Sequence, residues 1–326
     1  MGDLSMNFSV GHERDVVTRR GFMQTAALAV GAVSSLSASA AKPAGRPPVV
    51  IFSKHLSHLD YERLAEATAE LGFDGVDLTC RSRSRSHVKP EHVQRDLPKA
   101  VKAIRQAGLD VYMITSSIAD PADKYTEPVL RTAADLGIQY YRIGSWKYDY
   151  SRGILAQLRE WNEKMKKLAE MNEQYNIRAG YHNHSGHRYI GGPIWDLHEM
   201  LRGIDPAWLG SNYDTGHAIV EGGGGAWITN FHLIASRIKM SAVKDFRWEA
   251  DGGGQRARFC PMGEGIVDWK QAFAMLKGIG FDGPFSYHME YHTQGDTEQE
   301  KHKNLMKDLK RDLGVIRKNM AAAGWS

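Results

Sequence analysis

The stretch Trp208-Leu209-Gly210-Ser211-Asn212-Tyr213-Asp214-Thr215-Gly216-His217 decides how the chain is read. It starts as a short strand and ends with a carboxylate and an imidazole three residues apart. A Gly-rich loop, Gly222–Gly225, and another helix are expected to follow. Just past a strand end, Asp214 and His217 can both reach one bound ion or hydroxyl, and that is where α/β folds place their chemistry. Taken alone, Asp214 reads equally well as a turn or helix N-cap residue. What shifts the balance is the number of other strand ends that repeat the theme.

Strand and helix patterns alternate outward from this stretch in both directions. Strands are expected at Val49–Ser53, Asp74–Thr79, Leu109–Thr115, Gln139–Gly144, Ile177–His182, Trp208–Asp214, Arg237–Val243 and Gly283–Glu290. Helices are expected at Tyr61–Leu71, Pro90–Gln106, Pro121–Leu136 and Ile154–Tyr175, then near 194–203, 225–235, 267–279 and 297–321. Gly72, Gly108 and Gly137 close helices as C-cap residues do. Strands that each precede a helix favour a parallel sheet with right-handed crossovers, and a repeat of this length fits a closed (β/α)₈ barrel better than a doubly wound sheet. The first strand is followed by Ser53-Lys54-His55-Leu56 instead of a dinucleotide-binding glycine fingerprint. Gly222–Gly225 lacks the pattern of a phosphate cradle.

Side-chain alternation along the strands sorts the inward residues. In the last strand Phe285, Tyr287 and Met289 pack under helices, so Ser286, His288 and Glu290 face in. By the same logic Gly180, His182 and then His184 face in, as do Asp77 and Thr79, and Arg142 shares the interior. Ala242 and Lys244 share a parity whose face the pattern leaves open. The barrel mouth thus collects His182, His184, Asp214, His217, Lys244, His288 and Glu290, with His55, Arg81, His87 and Arg142 nearby. Imidazoles with carboxylates suit Zn²⁺, Mn²⁺ or similar ions. His288 and His292 read as polar core or surface residues.

The 326 residues are 42% hydrophobic and 25% charged, an ordinary composition for a soluble globular chain. Residues 1–40 differ: Arg19-Arg20, an apolar run from Ala26 to Val33, and Ala38-Ser39-Ala40 read as a twin-arginine export signal. The run is well short of the ~20 residues a membrane span needs. The expectation is therefore a signal peptide (1–40), a linker (41–48) and a barrel domain (49–326), periplasmic or otherwise exported, with no membrane partner after cleavage. The formal charge of +4 survives removal of the leader, whose charges cancel. No Lys/Arg-rich run suggests nucleic acid. Arg81-Ser82-Arg83-Ser84-Arg85 reads either as a solvated loop or as an anion-binding lip. Two distant cysteines, Cys80 and Cys260, leave a disulfide undecided, and homo-oligomerisation stays open.

Several of these pieces resemble the sugar phosphate isomerase/epimerase family, the xylose isomerase-like TIM barrels that also include endonuclease IV. They are Phe52-Ser53-Lys54-His55-Leu56, Gly72-Phe73-Asp74-Gly75-Val76-Asp77-Leu78, Tyr181-His182-Asn183-His184, Asp214-Thr215-Gly216-His217, Val243-Lys244-Asp245-Phe246, Gly263-Glu264-Gly265 and Glu290. The resemblance implies a divalent metal, Mn²⁺ first with Zn²⁺ or Mg²⁺ as alternatives, held by a Glu, an Asp, a His and a Glu on strands five to eight. Carried onto this chain, it assigns His182, Asp214 and Glu290 to the metal. Glu290, His217 and Lys244 go to catalysis, and His55, Arg142, His184 and His87 to substrate. The chain departs twice: His182 stands at the fifth-strand Glu position, and Ala242 at the seventh-strand His position. The cage is then less anionic than usual, and Lys244 can take part of the ion's place.

The expected activity is proton transfer next to a carbonyl of a sugar or keto-sugar, by an isomerase or epimerase with a small carbohydrate substrate. The alternatives are a lyase acting on an oxidised sugar or glycoside, a catalytically inactive sugar-binding protein, and a metal-free site in which Lys244 and Arg142 hold a carboxylate or enediolate. A DNA-repair endonuclease sharing the barrel is disfavoured by the export signal.

Overall fold

A computed structural model describes residues 43–325; the residues read as an export signal lie outside this range. Eight parallel strands close into a barrel: β1 (Val49–Phe52), β2 (Gly75–Cys80), β3 (Asp110–Ser116), β4 (Tyr140–Arg142), β5 (Arg178–His182), β6 (Leu209–Asp214), β7 (Ile238–Val243) and β10 (Phe285–Tyr287). Closure comes from β10 pairing with β1, with Val49 opposite Phe285. The helices are α1 (Tyr61–Leu71), α2 (Val93–Gln106), α3 (Thr126–Asp135), α4 (Ile154–Gln174), α5 (Trp195–Met200), α6 (Thr215–Ile234), α7 (Trp269–Gly278) and α8 (Glu298–Ala322). All eight expected strands are present; α3 and α5 are shorter than expected. Among the described residues no helix is long and apolar enough to cross a membrane.

Two expectations are corrected. The glycine run Gly222–Gly225 is not a loop, because α6 passes through it and breaks only locally at Gly223 (φ 57°, ψ −158°). A Cβ on Gly222 would stand 2.6 Å from the Trp227 nitrogen, so the break brings backbone too close for any side chain there. The second correction is an antiparallel hairpin, β8 (Asp245–Asp251) and β9 (Gly254–Cys260), inserted after β7. Its signal was Asp251-Gly252 between two strand-length runs. Asp245 ties the hairpin to the chain that follows, accepting N–H bonds from Gly263 (3.0 Å), Gly265 (3.3 Å) and Val267 (3.3 Å).

The expected alternation holds. Val76, Leu78, Tyr141, Ala179, Tyr181, Tyr213, Phe285 and Tyr287 belong to the main core, which lies between strands and helices. Inside the barrel, Met113, Tyr140 and Met240 form a separate apolar cluster. A Cβ on Gly180 would stand 2.2 Å from the Met240 methyl, so β5 makes room for this plug. Asp77 accepts hydroxyl hydrogen bonds within the barrel from Thr115 of β3 (2.8 Å) and Ser286 of β10 (2.7 Å). The segment read as a linker is tied down at its described end: Arg46 grips Asp74 bidentately (2.6 and 2.8 Å), and Phe285 N–H donates to the Pro48 carbonyl (2.8 Å). Cys80 and Cys260 are both buried free thiols.

The approach of β6 to the segment entering β7 leaves no room at Gly210, where a Cβ would lie 2.0 Å from the Arg237 carbonyl oxygen. Gly210→Ala is therefore expected to lower the free energy of unfolding in urea by about 2–3 kcal/mol. An unchanged unfolding midpoint would show that this approach is loose.

Candidate active site

Asp214 ends β6 and caps α6, and its two oxygens do different things. Oδ1 accepts the His217 backbone N–H at 2.8 Å, the N-cap bond of α6. Oδ2 faces the Lys244 ammonium at 2.9 Å and His182 Nε2 at 3.3 Å, with His217 Nε2 at 3.8 Å. Asn183 fixes the backbone here, accepting the Asp214 N–H (2.8 Å) and donating to the Asp214 carbonyl (3.0 Å). The Asp214 side chain is wholly buried. Burial alone would raise its pKa; His217, Lys244 and His182 more than offset this and hold the carboxyl well below the ordinary range.

Four imidazoles surround this carboxylate. Burial, followed for His182 by the Arg142 charge and for His184 and His288 by the His182 imidazole, keeps His182, His184 and His288 well below the usual histidine pKa. Burial likewise brings His217 to about 3. They are neutral, the form in which an imidazole ligates a metal. His217 is engaged at both nitrogens, by Lys244 Nζ at Nε2 (2.6 Å) and the Ser185 hydroxyl at Nδ1 (2.7 Å). His184 Nε2 lies 3.2 Å from Arg142 Nη2. His182 Nδ1, His184 Nδ1 and His288 Nε2 are buried without a hydrogen-bond partner. Two sets offer donor atoms lying within 4.8 Å of one another: His182, Asp214 and His288, and His182, His184 and His217. Tetrahedral ligands at ~2.0–2.1 Å bond lengths stand ~3.4 Å apart. The 3.3 Å between His182 Nε2 and Asp214 Oδ2 matches that spacing. Neutral imidazoles with spare lone pairs beside an ionised carboxylate fit a divalent cation.

The other expected residues separate into those at this cluster and those outside it. Lys244 is at its centre, which settles that Lys244 and Ala242 face in. Glu290 lies outside both donor sets; its carboxylate is instead 3.1 Å from Lys54 Nζ. His288, placed at the mouth but read as a polar core or surface residue, stands in the first donor set. Strand parity turns both inward, but β10 ends at Tyr287, so His288 lies level with the strand ends and Glu290 one step beyond. Burial opposes ionisation of Glu290, yet Lys244 and Lys54 bring its pKa down to about 2. Around Glu290, Met289 N–H donates to His55 Nε2 (3.0 Å) and the Tyr291 hydroxyl donates to Asp312 (2.7 Å). His55 thus positions the segment carrying Glu290, with its pKa lowered to about 3 by burial. His87 is not brought to the cluster; its N–H and Nδ1 are turned to Thr79 Oγ1 (2.9 and 3.4 Å). The sequence reading also missed Lys54, Asn183, Ser185 and Phe259. The Phe259 ring, carried by the hairpin, lies 4.7 Å from Lys244 Nζ and 5.7 Å from the His217 ring.

A parallel eight-stranded barrel with ionisable side chains gathered at the strand ends defines the class. The chain belongs to the xylose isomerase-like TIM barrel family, matching it over residues 65–318. It is 24% identical over 140 residues to an inosose dehydratase from Geobacillus thermodenitrificans, 39% of this chain, and spans about half (46%) of that relative's length. Among solved structures it is similar to D-psicose 3-epimerase from Clostridium cellulolyticum, with TM-score 0.63, 12% identity, and coverage of 84% of this chain and 99% of that one. A 3-keto-D-glucoside 4-epimerase from E. coli aligns with TM-score 0.62 and 12% identity, over 84% of this chain and 100% of that one. These structural likenesses are of fold.

Asp77 supplies a pH test of the polar barrel interior. Burial raises its pKa from 3.8 to about 6, against the hydroxyls of Ser286 and Thr115. The folded protein therefore binds a proton that the unfolded chain has released, and this contribution to stability is lost as pH rises from about 4 through 6. The loss amounts to about 3 kcal/mol, at 1.36 kcal/mol per pKa unit. Asp77→Asn is expected to remove that slope when unfolding is followed between pH 4 and 7. A parallel pH dependence in both proteins would show that Asp77 titrates normally.

Proposed function

We propose that this chain is a metal-dependent sugar-modifying enzyme that removes a proton from the carbon next to a carbonyl of a keto-sugar. Epimerisation, isomerisation and dehydration share that first step, and the named activities of the relatives fall in this group. The single observation that carries the reading is the set His182, Asp214 and His288, with donor atoms converging at the barrel mouth and with Asp214 Oδ2 and His288 Nε2 buried without hydrogen-bond partners. The twin-arginine leader makes it, in this proposal, an exported enzyme.

His182, Asp214 and His288 would hold the ion, and two imidazoles with one carboxylate suit Zn²⁺ or Mn²⁺ better than Mg²⁺. When bound, it supplies Lewis-acid polarisation of the carbonyl oxygen. Glu290 is a carboxylate outside that set with a partly exposed side chain (27%), so it can meet substrate, and it accepts the proton. Lys54 and the His55–Met289 contact aim it. Lys244 is ion-paired with Asp214, donates to His217, and can donate to an oxygen that gains negative charge. Phe259 and the hairpin cover this ammonium and keep water from it.

One contact favours a second arrangement. The Lys244 ammonium, 2.9 Å from Asp214 Oδ2, stands where a cation would seek that oxygen. In that arrangement Lys244 alone steadies the substrate oxygen, and EDTA treatment leaves turnover intact.

Metal content and turnover of two variants separate the roles. Asp214→Asn is expected to lose both the ion and activity. Glu290→Gln should keep about one ion per chain while turnover falls roughly 10²–10⁴-fold. Full activity in Glu290→Gln would remove Glu290 from the chemistry, and metal loss there would make it a ligand.

A further inference from the structure

A cavity of about 150 Å³ opens between the ends of β2, β3 and β4, lined by Arg81, Arg83 and Arg142 together with Thr115, Ser117 and Ser145. No Asp or Glu lines it. None of the three arginines has an ion pair among the described residues, whereas Arg46, Arg105 and Arg311 are all paired. Arg81 Nε is buried without a partner, and Arg81 Nη2 reaches only the Arg85 carbonyl, at 3.4 Å. The one polar contact of the Arg142 guanidinium is the 3.2 Å approach to His184 Nε2, which joins the cavity to the histidine cluster. The carboxylate that acts most strongly on Arg142 is Asp77, whose oxygens are already taken by Thr115 and Ser286. Three guanidinium groups around one small polar cavity repel each other unless an anion joins them.

We propose that Arg81, Arg83 and Arg142 form a subsite for one anionic group of the substrate, a carboxylate or a phosphate ester, so that the sugar acted on is an acidic one. The planar fork of each arginine matches either oxyanion, and the Ser117 and Ser145 hydroxyls add donors. Arg142, touching both the anion and His184, sets the distance from the charged end of the sugar to the reacting carbons. The inference rests on the reaction proposed above for its placement of the carbonyl, but the subsite is tested by binding alone.

Isothermal titration with D-gluconate, inorganic phosphate and neutral D-sorbitol as probes tests it on the full protein. Either anion is expected to bind roughly tenfold or more tightly than D-sorbitol, as charge-assisted hydrogen bonds predict, and to weaken with added salt. Whichever anion binds more tightly identifies a carboxylate or a phosphate as the group. Arg81→Gln/Arg83→Gln should abolish the preference; the exposed Arg83→Gln alone, with unchanged circular dichroism, should reduce it. Equal binding of all three probes, or an anion preference untouched by these substitutions, overturns the subsite. Turnover of neutral sugars without anion preference would leave the reaction standing and sink the subsite, and anion binding without sugar turnover would do the reverse.

Discussion

The site depends on the division of labour between the oxygens of Asp214. With Oδ1 fixed by the first turn of α6 and the backbone clamped by Asn183, Oδ2 has one direction open to it, into the mouth. The N-cap reading of Asp214 therefore holds for Oδ1, and Oδ2 is left for the function proposed here. The cap is worth about 1 kcal/mol, a small return for burying a carboxylate completely. Such burial costs several kcal/mol unless cations or strong donors surround it. Lys244 and His182 are the groups within reach that meet this demand, and in the proposed enzyme an ion would join them.

Much of the architecture was legible because barrel strands carry two independent signals, an apolar outer face and a chemically distinct inner one. Alternation alone put His182, Asp77, Arg142 and Ser286 inside, where the structure has them. It could not rank residues along one strand by depth, so it put His288 and Glu290 on the inner face alike, whereas His288 lies level with the strand ends and Glu290 beyond them. Depth follows from barrel tilt and from where pairing stops, and neither is written in the residue types. The face of Lys244 was open in the sequence for a related cause, since Met240, Ala242 and Lys244 show no contrast with their neighbours until Asp214 lies opposite.

Residues whose roles arise from other segments were the least visible. His55 and His87 are both histidines near strand ends, yet one accepts a backbone N–H from Met289 and the other is turned to Thr79. Nothing local distinguishes them. The hairpin that brings Phe259 over Lys244 had a turn signal, but its strands are exposed and rich in arginine, with little apolar alternation to register. The glycine run in α6 misled because glycine usually ends helices, whereas here it allows two helical pieces to meet around Trp227.

With His182 at the fifth-strand position where the family resemblance implies a glutamate, and Lys244 beside Asp214, the mouth carries little negative charge, and the arginines between β2 and β4, without ion pairs among the described residues, extend that cationic character outward. The central claim is that His182, Asp214 and His288 together hold an ion. The most direct test is anomalous diffraction from crystals grown with Mn²⁺ or Zn²⁺. The account predicts one strong peak about 2.0–2.3 Å from all three side chains, with Lys244 withdrawn from Asp214 and Glu290 uncoordinated. A peak at another set of ligands, or none while Lys244 stays on Asp214, would contradict it.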